Sequence, residues 1–159
     1  MAYTHTYRSA HALGKLQMPS PNGSEVVNVM TKLTMTNDEV DALVADDIIY
    51  MGYLPEDCAL VDAIAADTDL DTGNGLDLDF GIINDDEDDW ETDGELQNSI
   101  LVAGTTHAAR LTQTVETLTT VTDGKTRKKL GFKVATAATT AAAGTLYLSL
   151  TYRSATLGA

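Results

Sequence analysis

Lysine and arginine are missing from the middle of this chain of 159 residues: none lies between Leu33 and Ala109, although 21 of the 24 acidic residues do. The net charge is -14, and the positive charge is confined to the two ends. Such a surface repels a nucleic-acid backbone, which favours a continuous basic surface. We therefore expect partners to be proteins or cations, and we predict no nucleic acid among them.

Cysteines and long apolar runs are also scarce. Cys58 is the only cysteine, so no disulfide can form within the chain, and we expect synthesis in a reducing compartment. The first residues lack the features of a signal peptide, and no run reaches the roughly 18 apolar residues of a membrane span. The sequence thus predicts a soluble, unsecreted protein with no membrane partner, long enough to bury a core.

Signals of catalysis are absent. The chain contains no GxSxG, phosphate-loop, GxGxxG or HExxH motif. His5 and His11 fall in a predicted arm, and no partner that would orient His107 can be identified, so we assign all three to solvated or packing roles. Cys58 and His107 could form a nucleophilic pair, but Cys58 lies in an apolar strand pattern typical of a buried, inert thiol. We predict no catalytic residue, no cofactor and no enzyme.

A period of two residues dominates the rest of the chain and predicts β-strands over residues 25–36, 46–53, 58–64, 76–82 and 145–153. Two of them, 46–53 and 58–64, are apolar on both faces and are predicted to be central. The inward positions of the alternating runs, which predict the core, are Val27, Val29, Leu33, Ile48, Val61, Leu78, Phe80, Phe132, Leu146, Leu148 and Leu150.

A hairpin is predicted near the C-terminal third. Its arms are residues 114–121 and 128–136, and Asp123 with Gly124 supplies the turn. In the second arm, Lys129 and Lys133 alternate with apolar residues, which places them on the solvent face.

Helices are predicted to be few and short. Asn37 is a candidate cap for a helix over residues 38–45. Thr92 and Glu95 suggest a capping box for a helix over residues 93–103, with Gly104 as its C-terminal cap. Many strands with such helices predict an all-β fold, an antiparallel β-sandwich that resembles a jelly roll and spans residues 25–159.

The first 24 residues contain two prolines and weak periodicity, so we predict an extended N-terminal arm over residues 1–24, outside the sandwich. Such an arm either lies on a neighbouring subunit or is a loosely ordered terminus. Tyr3, Tyr7 and Arg8 are its candidate protein-contact residues.

Three aspartates, Asp67, Asp69 and Asp71, recur every second residue, as in the opening of a calcium loop. The match then fails, because Thr72 and Leu78 occupy the positions that require glycine and a bidentate glutamate. We keep these aspartates only as weak metal candidates and predict no established metal site.

A denser acidic run covers residues 85–91. It is interpreted as a solvated loop between strands, with a protein-docking loop or a weak cation site as alternatives. Trp90 is expected to anchor this loop on the sandwich. The charge map predicts a head-to-tail contact between subunits, in which the basic side chains meet the acidic ones. The candidate contact residues are Asp85, Asp86, Asp88, Asp89, Lys125, Arg127, Lys128 and Lys129.

The order of segments carries a resemblance. IIYMGYLPEDCALVDAIAADTDLDTGNGLDLDFGI is followed by the acidic run, by LQNSILVAG and finally by AAAGTLYLSLTYRSA. Over residues 46–155 this arrangement resembles small virion proteins of tailed bacteriophages, in particular head decoration (cement) proteins built on a β-sandwich similar to a jelly roll. The matching parts include a strand ending in Leu54 and Pro55, and a terminal strand introduced by Ala143, Gly144 and Thr145.

The resemblance implies a non-enzymatic protein that sits on the assembled capsid, often as a trimer, and bridges neighbouring major capsid subunits. The expected partners are therefore the major capsid protein and further copies of the chain. The expected location is the capsid surface of the virion, after synthesis in the host cytoplasm. The acidic run departs from the family pattern.

A carbohydrate-binding or receptor-binding β-sandwich of a phage tail or head fibre is the alternative. Such a protein needs exposed aromatic side chains for stacking on sugars. Most of the aromatic residues here are tyrosines, and Tyr50, Tyr53, Tyr147 and Tyr152 lie in predicted strands, not in loops. An enzyme ranks third.

Overall fold

The computed structural model describes residues 6–21, 25–102, 108–112 and 126–155. In chain order the elements are β1 (Thr6–Arg8), β2 (Val26–Met35), α1 (Asn37–Asp41), β3 (Ile48–Leu54), β4 (Cys58–Asp67), β5 (Asp77–Ile83), β6 (Trp90–Val102), β7 (Ala108–Arg110), β8 (Lys128–Thr136) and β9 (Gly144–Ser154). No helix in the described part of the chain is long and apolar enough to cross a membrane.

The strands form two sheets, with the orders β1-β3-β8-β5-β6 and β2-β9-β4-β7. Strand β1 pairs with β3 in parallel, and the other pairings are antiparallel. The pairs β2 with β9, β3 with β8, β4 with β7 and β5 with β6 alternate between the sheets, as in a long hairpin rolled upon itself. That winding is a jelly roll. The predicted antiparallel β-sandwich is confirmed.

Side chains between the two sheets form the main core. Phe80 and Phe132 lie at its centre, with their ring centroids 5.8 Å apart and the rings tilted, a favourable aromatic arrangement. Of the predicted core positions, Leu78, Phe80, Phe132, Leu146, Leu148 and Leu150 are fully buried in this core, whereas Ile48 is fully buried in a second cluster. Those that are only partly buried are Val27, Val29, Leu33 and Val61. At Val61 a shift in register between β4 and β9 interrupts the alternation.

The predicted helix over residues 93–103 is wrong, because residues 93–102 belong to strand β6. Ala103 and the predicted cap Gly104 lie outside the described residues. Between the pairs Asp77 with Val102 and Ile83 with Trp90, the chain advances six residues on β5 but twelve on β6. Residues on β6 therefore bulge out of the ladder, with positive φ angles at Asp93 (57°) and Ser99 (49°). These bulges remove the alternation by which a strand is recognised, and pairing with β5 outweighs the local helix signal.

Helix α1 is shorter than predicted, and its cap is Thr36 instead of Asn37. The Thr36 hydroxyl accepts a hydrogen bond from the main-chain N–H of Glu39, at 3.3 Å. The Glu39 carboxylate in turn accepts one from the main-chain N–H of Thr36, at 2.7 Å. This capping box satisfies two donors at the start of the helix.

The described part of the N-terminal segment packs on the sandwich, which differs from the predicted separate arm. Strand β1 extends the five-stranded sheet. The buried Ser9 hydroxyl donates a hydrogen bond to the Met51 carbonyl. Met18 is buried in the main core, and the Pro19 carbonyl accepts a hydrogen bond from the Tyr152 hydroxyl at 2.6 Å. The segment stays on the sandwich because it contributes a buried apolar side chain and hydrogen bonds. Its amino-acid composition alone does not predict these contacts. Its contact with a neighbouring subunit stays a prediction.

The second arm of the predicted hairpin is confirmed as β8. Its first arm, over residues 114–121, and the turn at Asp123 and Gly124 lie outside the described residues.

Candidate functional site

The acidic run folds back over the outer face of the five-stranded sheet. We call residues 84–91 the acidic flap. Its turn is closed by Asn84, whose side-chain amide donates to the Asp88 carboxylate at 2.8 Å and accepts from the Asp88 main-chain N–H at 3.2 Å. Glu87, inside this turn, has a φ of 61°.

Two lysines of β8 lie beneath the flap. The Lys129 ammonium contacts the Glu87 carboxylate at 3.1 Å and donates to the Asp85 carbonyl at 2.8 Å. The Lys133 ammonium contacts the Asp89 carboxylate at 2.8 Å. Both lysines point away from the core, as predicted, but the flap covers most of each side chain, so they are not free on the solvent face.

Two further ion pairs hold the borders of the flap. Lys128 binds Glu91 with 3.0 Å between the ammonium and the carboxylate. Arg8, from β1, binds Glu87 at 2.6 Å. Burial alone would raise the pKa of Glu87, but its bonds to Lys129 and Arg8 hold that pKa below its usual range.

The structure thus brings together most of the predicted contact residues, but within one chain. The sequence predicted that Lys128 and Lys129 meet the acidic run of a neighbouring subunit, whereas here they neutralise the acidic flap of their own chain. Their role in contacts between subunits therefore stays a prediction. Asp85, Asp86 and Asp88 are exposed. Four members of this network were not among the predicted contact residues: Glu87, Glu91, Lys133, and Asp46, whose carboxylate lies 3.2 Å from the Lys133 ammonium.

A second apolar cluster anchors the flap. Ile48, Tyr50 and Ile83 are buried on the outer side of the five-stranded sheet, and Trp90 packs partly buried against them. The predicted anchoring role of Trp90 is therefore confirmed. This cluster also explains why residues 46–53 are apolar on both faces, since β3 has one core on each side.

Gly81 permits the close approach of the flap to the sheet. A Cβ atom at this position would lie 2.5 Å from the Gly94 carbonyl oxygen and 3.1 Å from the Trp90 ring. The first distance is shorter than real Cβ contacts and the second is tighter than most of them, so only glycine fits without a shift of the main chain.

Arg127, another predicted contact residue, packs on tyrosines of β3. Its guanidinium carbon lies 3.6 Å from the centre of the Tyr53 ring, a cation–π contact, and one of its nitrogens is 3.5 Å from the Tyr50 hydroxyl. Tyr7 is partly buried against the main core. Tyr3 and Lys125 lie outside the described residues.

The carboxylate of Asp71 is buried and accepts main-chain hydrogen bonds of 2.7 to 2.9 Å from Gly73, Gly75, Leu76, Thr139 and Thr140. Burial alone would raise the pKa of Asp71, but these hydrogen bonds outweigh burial and hold the pKa far below its usual range. The sequence pattern made Asp71 a weak candidate for binding a cation, but in the structure its carboxylate binds main-chain N–H donors instead. Asp71 therefore joins the β4–β5 connection to the β8–β9 connection.

The other two metal candidates do not complete a site. Asp67 accepts a hydrogen bond from the main-chain N–H of Leu70 at 3.3 Å, and Asp69 adopts a φ of 58°. Within the described ranges, no three His, Cys, Asp or Glu side chains are grouped so that they could hold a metal ion. Asp71 turns inward to N–H donors, and the three aspartates stay only weak candidates for binding a cation.

Two of the residues weighed for catalysis, Cys58 and His11, lie in the described part of the chain. Cys58 is buried, and burial raises the pKa of its thiol, which disfavours the thiolate. His11 is buried at the edge of the sandwich, and burial lowers its pKa. His5 and His107 lie outside the described residues.

The chain is thus a small jelly-roll protein whose acidic flap forms ion pairs with basic side chains of β1 and β8. No protein-family model and no curated protein matches the chain. Among solved structures, it is similar to a chain in the capsid of Ralstonia phage GP4, with 28% identity, a TM-score of 0.72, and 93% of this chain and 97% of that chain covered.

A second similar chain comes from the capsid asymmetric unit of cyanophage Pam1. The identity is 20% and the TM-score 0.58, and the likeness covers 87% of this chain and 94% of that chain. At this identity the likeness shows the fold alone. The likeness to the chain in the Ralstonia phage GP4 capsid supports a protein related to phage capsids, with a structural role.

Proposed function

We propose that this chain is a non-enzymatic virion protein that decorates and stabilises a phage capsid by binding major capsid subunits. The observation that carries this proposal is the likeness to the chain in the Ralstonia phage GP4 capsid. The two chains cover one another almost completely, so the whole jelly roll corresponds to a whole chain found in a capsid.

The described structure suits a protein that is present in many copies on a shell. Its strands are rolled into two packed sheets, and β1 covers one edge of the larger sheet. The net charge of -14 keeps free subunits soluble before they dock. We propose a homotrimer, because closed symmetric rings are common among homo-oligomers and the family that the sequence resembles often forms trimers.

A carbohydrate-binding function has less support. Sugar stacking needs exposed aromatic rings, but Tyr50 and Tyr152 are buried, and Trp90 packs against the second apolar cluster. Tyr53 is covered by Arg127.

Reconstitution on particles tests the proposal. Particles assembled without this chain are incubated with the purified protein, sedimented, and heated until they release their DNA. We expect saturable binding and release at a higher temperature. Absence of binding at micromolar concentrations of the protein would contradict the proposed function.

A further inference from the structure

The outer face of the four-stranded sheet differs from the rest of the surface. We call it the hydroxyl face, and its outward side chains are Asn28, Met30, Lys32, Thr34, Asp62, Ile64, Thr145, Tyr147, Ser149, Thr151 and Arg153. We propose that the hydroxyl face docks on the capsid partner, and that the partner surface presents apolar side chains and carboxylates. This inference rests on the proposed function and names the surface that performs it.

Apolar side chains lie at the middle of this face. Met30 on β2 pairs with Ser149 on β9, and Ser149 pairs with Ile64 on β4. The two apolar side chains thus flank one serine in a single row across three strands. Met30 is 62% exposed and Ile64 is 41% exposed, which is high for large apolar residues in central rows of a sheet.

The polar groups of the face already bond to one another. The Asn28 amide donates to the Ser149 hydroxyl at 3.0 Å and to the Thr151 hydroxyl at 2.7 Å. The hydroxyls of Thr34 and Thr145 are 3.1 Å apart. Because these groups keep their partners when water is removed, covering them costs less than covering unpaired polar groups.

Negative charge on this face is neutralised. The Asp62 carboxylate receives two bonds from the Arg110 guanidinium, at 2.7 and 2.8 Å. Lys32 and Arg153 are exposed and have no carboxylate partner among the described residues. In a chain of net charge -14 this face is therefore neutral to basic, and it complements a partner that carries carboxylates. The acidic flap lies on the opposite sheet. It is less suited to the centre of an interface, because interface centres are generally depleted of charged residues.

The size of the face is sufficient for specific docking. Strands β2, β4 and β9 contribute ten or eleven residues each. With usual strand spacing and rise, they cover about 500 Å², against about 800 Å² per partner in a standard interface. An open groove of about 220 Å³ continues the face, since Met30 and Lys32 also line it, together with Ala10, His11 and Leu16. The groove therefore adds apolar contact surface beside the face.

The test uses particles assembled without the chain and three full-length proteins: wild type, Met30→Asp with Ile64→Asp, and Val44→Asp. Val44 is the matched control, because it is 50% exposed and lies outside the face. We expect the face variant to bind at least about tenfold more weakly than wild type and the control to bind within about twofold. A second variant, Lys32→Glu with Arg153→Glu, is expected to weaken binding as well and does not depend on the apolar pair.

Each other outcome is decisive. If wild type binds and both face variants bind equally well, the inference is wrong and the proposed function stands. If wild type itself does not bind, both are wrong. If neutralising Asp85, Asp86 and Asp88 abolishes binding while the face variants bind, the acidic flap is the docking surface. If light scattering shows that the face variants change the mass of the free protein, the face joins copies of the chain, and the inference is overturned.

Discussion

Asp71 and Thr140 are 69 residues apart in the chain, yet the main-chain N–H of Thr140 donates to the Asp71 carboxylate at 2.7 Å. Thr139 and Thr140 lie between β8 and β9, whereas Asp71 lies between β4 and β5. One buried carboxylate therefore holds together two connections at the same end of the sandwich.

Replacement of Asp71 by asparagine should destabilise the fold. The amide nitrogen would face N–H donors, and the charge that strengthens the remaining hydrogen bonds would be lost. We expect the free energy of unfolding to fall by about 2 to 4 kcal/mol, measured by urea denaturation. The matched control is Asp69→Asn, because Asp69 has a carboxylate oxygen with no hydrogen-bond partner among the described residues. A loss as large in the control would contradict the special role of Asp71.

Stability should fall with acid in a way that depends on Asp71. Its pKa is lower in the folded protein than in the unfolded chain, where the pKa of aspartate is about 3.9. Its stabilising contribution is therefore complete above that value and is lost as the pH falls toward the folded pKa. We expect urea midpoints between about pH 6 and pH 3 to fall less steeply in Asp71→Asn than in wild type. Equal slopes for both proteins would count against this assignment.

The acidic flap depends on the absence of a side chain at Gly81. We expect Gly81→Ala to cost about 1 to 3 kcal/mol, because the added Cβ meets a main-chain carbonyl that cannot move alone. Trp90 is the only tryptophan, so displacement of the flap should shift its fluorescence to longer wavelength. Gly52→Ala is the control, since its nearest neighbour is a Thr31 side-chain methyl at 3.3 Å. An unshifted Gly81→Ala spectrum would argue against the close packing.

The N-terminal segment should contribute to folding, since Met18 lies in the main core. We expect Met18→Ala to lower the free energy of unfolding by about 2 to 4 kcal/mol, through lost burial and a cavity. Leu16→Ala, at a position 53% exposed, should change it by about 0.5 kcal/mol or less. If both substitutions lower the free energy of unfolding by a similar, small amount, the segment does not contribute to the core, and the separate arm predicted from the sequence is correct.

The strands that could be predicted are those with regular alternation. Strand β9 buries Leu146, Leu148 and Leu150 on one side, so its period of two residues is visible in the sequence. Strand β6 was missed because its bulges break that period, as at Ser99. Alternation of apolar and polar residues shows which side chains are buried. Where bulges make strand pairing irregular, the alternation is lost and the strand cannot be recognised from it.

The candidate surfaces were predicted in composition but not in arrangement. Acidic and basic groups were recognised, but the pairing of Lys133 with Asp89 depends on how the flap folds back over β8. Likewise, the role of Asp71 depends on two connections that are distant in sequence. Such contacts join segments that are distant in sequence and depend on the topology of the two sheets. Local patterns in one sequence do not reveal them.

Electron microscopy of the parent particle tests the capsid assignment most directly. The account predicts density for a jelly roll of this size at many positions on the outer shell, each in contact with more than one major capsid subunit. Density confined to the portal, tail or fibres, or a shell without such density, would contradict it.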